Sequence, residues 1–191
     1  MNNLNNFEYL VGDKNISEKP TQPYNDIVCN FLGDLSDELN SITTSKNYAD
    51  IKTFAFWCRK GNITKYKKQF DDGKKRLGLG LAFHITPSNV PINFAYSFVF
   101  GILAGNANIV RVPSNNSPQI KIICNAIKNL ISKKKYKEIK KMTALVQYEK
   151  DNEITAKYSA NCNARITWGG DITINEIRKF PIPERSIEIN F

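Results

Sequence analysis

The sequence predicts an α/β fold, doubly wound, with a mainly parallel sheet and a helical segment ahead of it. Three observations carry this. Apolar, strand-like runs alternate with helix-patterned stretches from Leu79 onward; the connections between them are rich in proline, glycine and asparagine; and a helix fills each gap, as parallel crossovers require. The organising stretch is Gly78 to Ser117. Leu79 to Ile85 reads as a buried strand. Thr86-Pro87-Ser88-Asn89-Val90-Pro91 follows, dense in turn and cap residues, with Ser88 or Asn89 placed to accept the free amides of a helix and Pro91 suited to its first turn. Phe94 to Leu103 is apolar almost all round, the pattern of a helix buried against a sheet. Gly105 and Asn106 stop it. Ala107 to Val112 is the next strand, broken by Pro113 and Ser114-Asn115-Asn116. This β-α-β unit puts polar loops at the carboxyl ends of two strands, where open α/β sheets bind ligands.

Ahead of it, residues 1–22 are polar and read as a flexible or loosely docked arm. Residues 23–73 form a helical segment. Tyr24 to Ile42 carries Ile27, Val28, Phe31, Leu32, Leu35 and Leu39 at helical spacing; Asn47 to Lys60 is a second helix, and Asn62 caps a third ending near Asp71. Residues 74–191 are the α/β part. After the central unit come a helix over Gln119 to Ile131, a strand over Thr143 to Tyr148 and a short helix capped by Asp151. A strand over Ala164 to Trp168, the Gly169-Gly170 turn and a helix over Asp171 to Lys179 follow. The last strand is Ser186 to Phe191. Its residues Ile187, Ile189 and Phe191 leave an apolar edge, so self-association through this strand or cover by a partner is expected.

Composition narrows the class. With 41% hydrophobic and 24% charged residues the chain is neither disordered nor a membrane protein, and no apolar run reaches spanning length. The N-terminus has no secretory pattern. Cys29, Cys58, Cys124 and Cys162 are scattered, with no CxxC pair and a single histidine, which excludes a zinc site or disulfide framework and points to a reducing, cytoplasmic setting. Much of the +9 net charge sits in Lys133 to Lys141. No base-stacking aromatic pattern accompanies it, so a solvated helix end is favoured over a polyanion-binding module.

The segments Pro87-Ser88-Asn89-Val90-Pro91 and Leu103 to Pro118, with Phe56 to Lys60 upstream and Ala164 to Asp171 and Ser186 to Glu188 downstream, resemble the aldehyde dehydrogenase superfamily. They are most similar to its acyl-CoA reductase branch, the LuxC-type fatty acid reductases. The resemblance implies a Rossmann-like NADP(H)-binding domain of an enzyme that reduces acyl thioesters to fatty aldehydes. It implies that Asn89 donates its side-chain amide to a developing oxyanion, the other reading being a helix cap. Glu188 matches the family's general base, the alternative being an outward polar residue on a half-exposed strand. Thr86, Pro87, Ser88, Arg111, Pro113, Ser114 and Asn115 match the nucleotide-holding loops. Arg111 and Asn115 stand where relatives carry lysine and glutamate, and both departures favour a 2′-phosphate. Gly169 and Gly170 match the turn that lets a pyrophosphate approach, with Asp171 expected to cap the next helix. His84 either orients a substrate or is held in place by hydrogen bonds. The family's nucleophilic cysteine lies beyond the base glutamate, and none of the four cysteines here matches it. The expectation is a cofactor-binding portion, inactive alone, that a cysteine-bearing domain or chain completes. A non-catalytic nucleotide-binding remnant is the alternative.

Overall fold

The structure, a computed structural model, describes residues 7–115 and 117–191. Strands β1 (Glu8–Val11), β2 (Leu81–Ile85), β3 (Ala107–Val112), β4 (Thr143–Gln147), β5 (Ala164–Thr167) and β6 (Ile187–Asn190) form one sheet in the order β1-β4-β3-β2-β5-β6. All neighbours are parallel except β1, which pairs antiparallel with β4. The doubly wound, mainly parallel α/β fold is therefore observed.

The helices are α1 (Asp26–Ser41), α2 (Ala49–Cys58), α3 (Lys60–Phe70), α4 (Asn93–Leu103), α5 (Pro118–Ile131), α6 (Lys137–Lys141), α7 (Asn152–Ala160) and α8 (Asp171–Arg178). Asn25 starts α1 by accepting from the Val28 amide at 3.0 Å, and Asp151 does the same for α7 through Ile154 at 2.9 Å. Helices α1, α2, α4 and α5 share one core with the sheet face that carries Val110, Val112 and Leu145. The opposite face, with Phe83, Ile109 and Val146, packs against Ile177 of α8 and the half-buried Ile154 and Tyr158 of α7. The N-terminal helices thus share the sheet's own core.

Three expected caps are not made. Helix α4 starts at Asn93, after bends at 88–90 and a turn, so Ser88 and Asn89 stand exposed ahead of it and Ile92 holds the cap position. Asn62 lies inside α3 and donates instead to Phe56 O, at 2.8 Å, closing the end of α2. Asp171 is already the first helical residue of α8; the extended residue before it, where a cap must stand, is Gly170.

The N-terminal segment also differs from an arm. Residues 1–6 lie outside the described residues, but from Phe7 on the chain is docked. Glu8 and Tyr9 pair with Gln147 and Val146, and the amides of Ser17 and Thr21 donate to Lys141 O and Gly105 O. The alternation in this polar stretch is too short to announce a strand; the exposed edge of β4 supplies its partner. At Gly12, φ is +74° and an added Cβ would lie 2.0 Å from Thr143 O. We expect Gly12→Ala to detach the edge strand while leaving the rest folded. Hydrogen exchange should then show lost protection at Tyr9 and Val11 with β2 and β3 unchanged; wild-type protection at Tyr9 would refute the docking.

Candidate functional site

The winding reverses between β2 and β5. From β2 the chain moves outward through β3 to β4, then returns to lay β5 and β6 on the other side of β2. The connections leaving β2 and β5 therefore part to opposite faces: α4 joins one core and α8 the other. At such a switch point the diverging loops leave a crevice outside the carboxyl ends of the strands. The loops that leave the neighbouring strands β2 and β5 at this point are residues 86–92 and 168–170.

The first loop is tied to its neighbours. The Thr86 hydroxyl donates to Arg111 O at 2.7 Å, and Asn115 Nδ2 donates to Ser88 O at 2.8 Å, so the loops after β2 and β3 are joined. Pro87 is half-buried, whereas Ser88 and Asn89 are exposed, leaving the Asn89 amide open to solvent at the crevice. Asn116 lies outside the described residues. Arg111 lies with its guanidinium 4.7 Å over the Tyr148 ring, and its Nη2 is 3.4 Å from Tyr148 O. The Ser114 hydroxyl donates to that same carbonyl at 3.1 Å, and Gln147 Nε2 donates to Pro113 O. Thr86, Pro87, Ser88, Arg111, Pro113, Ser114 and Asn115 thus form one connected rim. Tyr148, which the sequence reading passed over as the end of a strand, is the post on which half of it rests.

The second loop is Trp168-Gly169-Gly170. The Trp168 amide donates to Ile85 O and the Gly169 amide to Phe191 O, each at 2.9 Å, which fixes the turn against β2 and β6. Helix α8 opens at this turn with no side-chain cap. Nearby, the hydroxyl of fully buried Thr167 and Asn190 Oδ1 are buried without a hydrogen-bond partner among the described residues.

Glu188 is placed differently from the crevice loops. It shares the α8 face of the sheet with Arg165, its register partner. Arg165 Nη2 donates to Oε1 at 2.7 Å and Arg178 Nε to Oε2 at 3.0 Å. Burial alone would raise this carboxyl's pKa, but the two guanidiniums outweigh it and hold it below the usual carboxylate value. Arg165 is almost fully buried and also donates to Phe180 O and Ser159 Oγ. Removing the carboxylate would leave a buried cation unpaired, at a cost of about 3–5 kcal/mol. The alternation expected for β6 is observed: Ile189 and Phe191 point to the opposite face.

There they line a groove of about 620 Å³ with Leu79, Phe100, Ile166 and Trp168. Neither α4 nor α5 reaches over β5 and β6, so this face of the parallel sheet stays open. At its floor His84 is buried. Its Nδ1 is 2.8 Å from Ser97 Oγ and its Nε2 2.9 Å from Asn108 Oδ1, so hydrogen bonds hold it in place. Burial lowers its pKa to about 4, against a rise from the Asn108 bond. The thiols go the other way: burial pushes Cys162 up to about 11 and Cys124 up to about 12, and raises Cys29 and Cys58 as well. All four stay protonated at neutral pH, which is not the nucleophilic form. Among the described residues no helix is long and apolar enough to cross a membrane, and no His/Cys/Asp/Glu cluster could hold a metal.

The architecture is that of an aldehyde dehydrogenase-type α/β domain. Its architecture is similar to a variant of Proline Utilization A (PutA) from Bradyrhizobium japonicum, with a TM-score of 0.62 and 18% identity over 88% of this chain and 20% of that one. It is also similar to a NAD-dependent benzaldehyde dehydrogenase from Corynebacterium glutamicum (TM-score 0.57, 13% identity, 87% of this chain and 41% of that one). A salicylaldehyde dehydrogenase from Pseudomonas putida is a third (0.56, 9%, 85% and 38%). The chain spans less than half the length of each. The acyl-CoA reductase (LuxC) profile matches residues 57–191, and the chain belongs to that family. No curated protein matches it.

The two titrating groups separate by pH. His84 binds its proton more weakly folded than unfolded, so stability should fall as pH drops from about 6.5 to about 4, by on the order of 3 kcal/mol in total. Glu188 contributes stability above the ordinary carboxylate range and loses it only as pH falls further, through its lowered folded value. Urea unfolding across this range should show both, with His84→Gln flattening the upper part alone. A His84→Gln profile parallel to wild type would refute the assignment.

Proposed function

We propose that this chain is the cofactor-binding portion of an NADPH-dependent acyl-thioester reductase that makes fatty aldehydes, with residues 74–191 as its nucleotide-binding domain and 23–73 as a helical layer upon it. The observation that carries the reading is the strand order, which reverses at β2 and sends the Asn89 loop and the Gly169-Gly170 turn off the carboxyl ends of two neighbouring strands. A dinucleotide suits these residues. The opening amides of α8 are free of a side-chain cap and can meet a pyrophosphate. The partnerless Thr167 hydroxyl and Asn190 oxygen offer buried polar contacts beside them. Arg111, steadied over Tyr148, with Ser114 and Asn115, would hold the adenosine ribose and its 2′-phosphate, since a guanidinium pairs well with phosphate. The exposed Asp171 carboxylate weakens this pyrophosphate contact rather than aiding it.

The bound nicotinamide would supply hydride. Asn89 would donate its amide to the oxyanion on the thioester carbon. Glu188 matches the family's general base, and to act as one it would have to leave its pairs with Arg165 and Arg178 on the α8 face of the sheet. The acyl-accepting thiolate is not among Cys29, Cys58, Cys124 and Cys162 in this reading, and a cysteine-bearing domain or partner chain supplies it in the cytoplasm. The open apolar groove over β5 and β6 favours such a partner, because parallel sheets are normally covered on both faces.

Two measurements test this. Titration with NADPH, followed by tryptophan fluorescence, should saturate; Arg111→Ala should weaken NADPH roughly tenfold, the scale of one charge-assisted contact, and NADH far less. No saturable response to either nucleotide would sink the reading. Mixing with the cysteine-bearing portion of a LuxC-type reductase should produce acyl-thioester-dependent NADPH oxidation that neither part shows alone. Ile189→Asp, which charges the groove, should abolish it.

A further inference from the structure

Four buried or half-buried side chains form a hydrogen-bond chain with a single direction. Asn108 Nδ2 donates to Asn106 O at 2.7 Å, so its Oδ1 is the atom facing His84. His84 Nε2 must then carry the proton, and Nδ1 is left to accept the Ser97 hydroxyl. Ser97 Oγ in turn accepts from Trp168 Nε1 at 3.0 Å. His84 and Ser97 are each 2% exposed and Asn108 is fully buried, so a lost partner leaves a buried polar group short of a bond. Gly101 makes the approach possible: a Cβ there would lie 1.9 Å from Asn108 Oδ1 and 2.9 Å from His84 Cε1. The low pKa of His84 agrees with a permanently neutral ring.

The chain joins β2, α4 and β3 to the residue that opens the turn after β5. His84 lies on β2, two residues before Thr86; Ser97 lies on α4, which follows the Asn89 loop; Asn108 lies on β3. Trp168 is the residue before Gly169 and Gly170, and its ring is stacked on Phe191 with centroids 4.2 Å apart. We infer that His84, Ser97 and Asn108 are positioning residues that set the Trp168-Gly169-Gly170 turn against the Asn89 loop. The inference rests on the proposed nucleotide site for its consequence in binding, but the positioning itself is readable without any ligand.

The test uses the full chain in a Trp57→Phe background, where Trp168 is the sole tryptophan. Ser97→Ala removes the acceptor of the indole and the donor to His84. It should red-shift Trp168 emission, speed hydrogen exchange at the bonded amides of Trp168 and Gly169, and raise the NADPH dissociation constant about fivefold, the scale of one hydrogen bond. Trp168→Phe keeps a ring to stack on Phe191 and removes only the indole donor, so it should speed the same amides even if Ser97→Ala fails to fold. Adding Ser97→Ala to Trp168→Phe should speed them little more, because both act through one bond. Unchanged exchange at these amides in both single variants, or fully additive effects, would overturn the inference. If the unsubstituted chain binds no NADPH, the nucleotide reading falls and these amides alone decide the positioning.

Discussion

Everything at the crevice depends on one topological constraint: the sheet is wound in both directions from β2. Right-handed crossovers send α4 and α5 to one face while strands are added on one side, and α7 and α8 to the other face when the direction reverses. The loops after β2 and β5 must then separate. That separation, rather than any single side chain, makes room for a ligand, and it brings together segments eighty residues apart in the chain.

The same winding leaves a debt on the other side of the sheet. Further right-handed crossovers beyond β5 place helices on the α8 face, so the sheet's own connections do not cover β5 and β6 on the α4 face. Ile189 and Phe191 are consequently exposed although they lie on a parallel sheet. Glu188, one residue away, turns to the covered face, where Arg165 and Arg178 hold it. One strand thus carries an apolar groove wall on one side and a doubly paired carboxylate on the other.

Between these features the polar chain from Asn106 to Trp168 runs through a core that is otherwise apolar. Such a chain is stabilising only when every member is paired. Here each donor finds one acceptor, and the hydrogen positions follow from a single amide orientation. It specifies how α4 seats on the sheet in a way that hydrophobic packing of Phe94, Phe98 and Ile102 does not, since apolar contacts are indifferent to small slides.

The sequence by itself determined the order of the main strands and helices from Tyr24 onward, the strand–loop–helix around Asn89 and the family, because periodicity and turn chemistry are local and the motif residues are contiguous. It also determined that Glu188 and Ile189 face opposite ways, since strand alternation has a period of two. Only the tertiary structure decided what each side chain meets. The edge strand over Glu8–Val11 forms because β4 offers an unpaired edge, something no short polar run can announce. The caps expected of Ser88, Asn89, Asn62 and Asp171 failed because a helix start shifted by a few residues moves a cap into a loop or into the helix itself. The pairing of Glu188 with Arg165 and Arg178, the post made by Tyr148, and the bond from Trp168 to Ser97 all link distant segments. Such contacts are set by sheet register and crossover handedness, which sequence spacing does not encode.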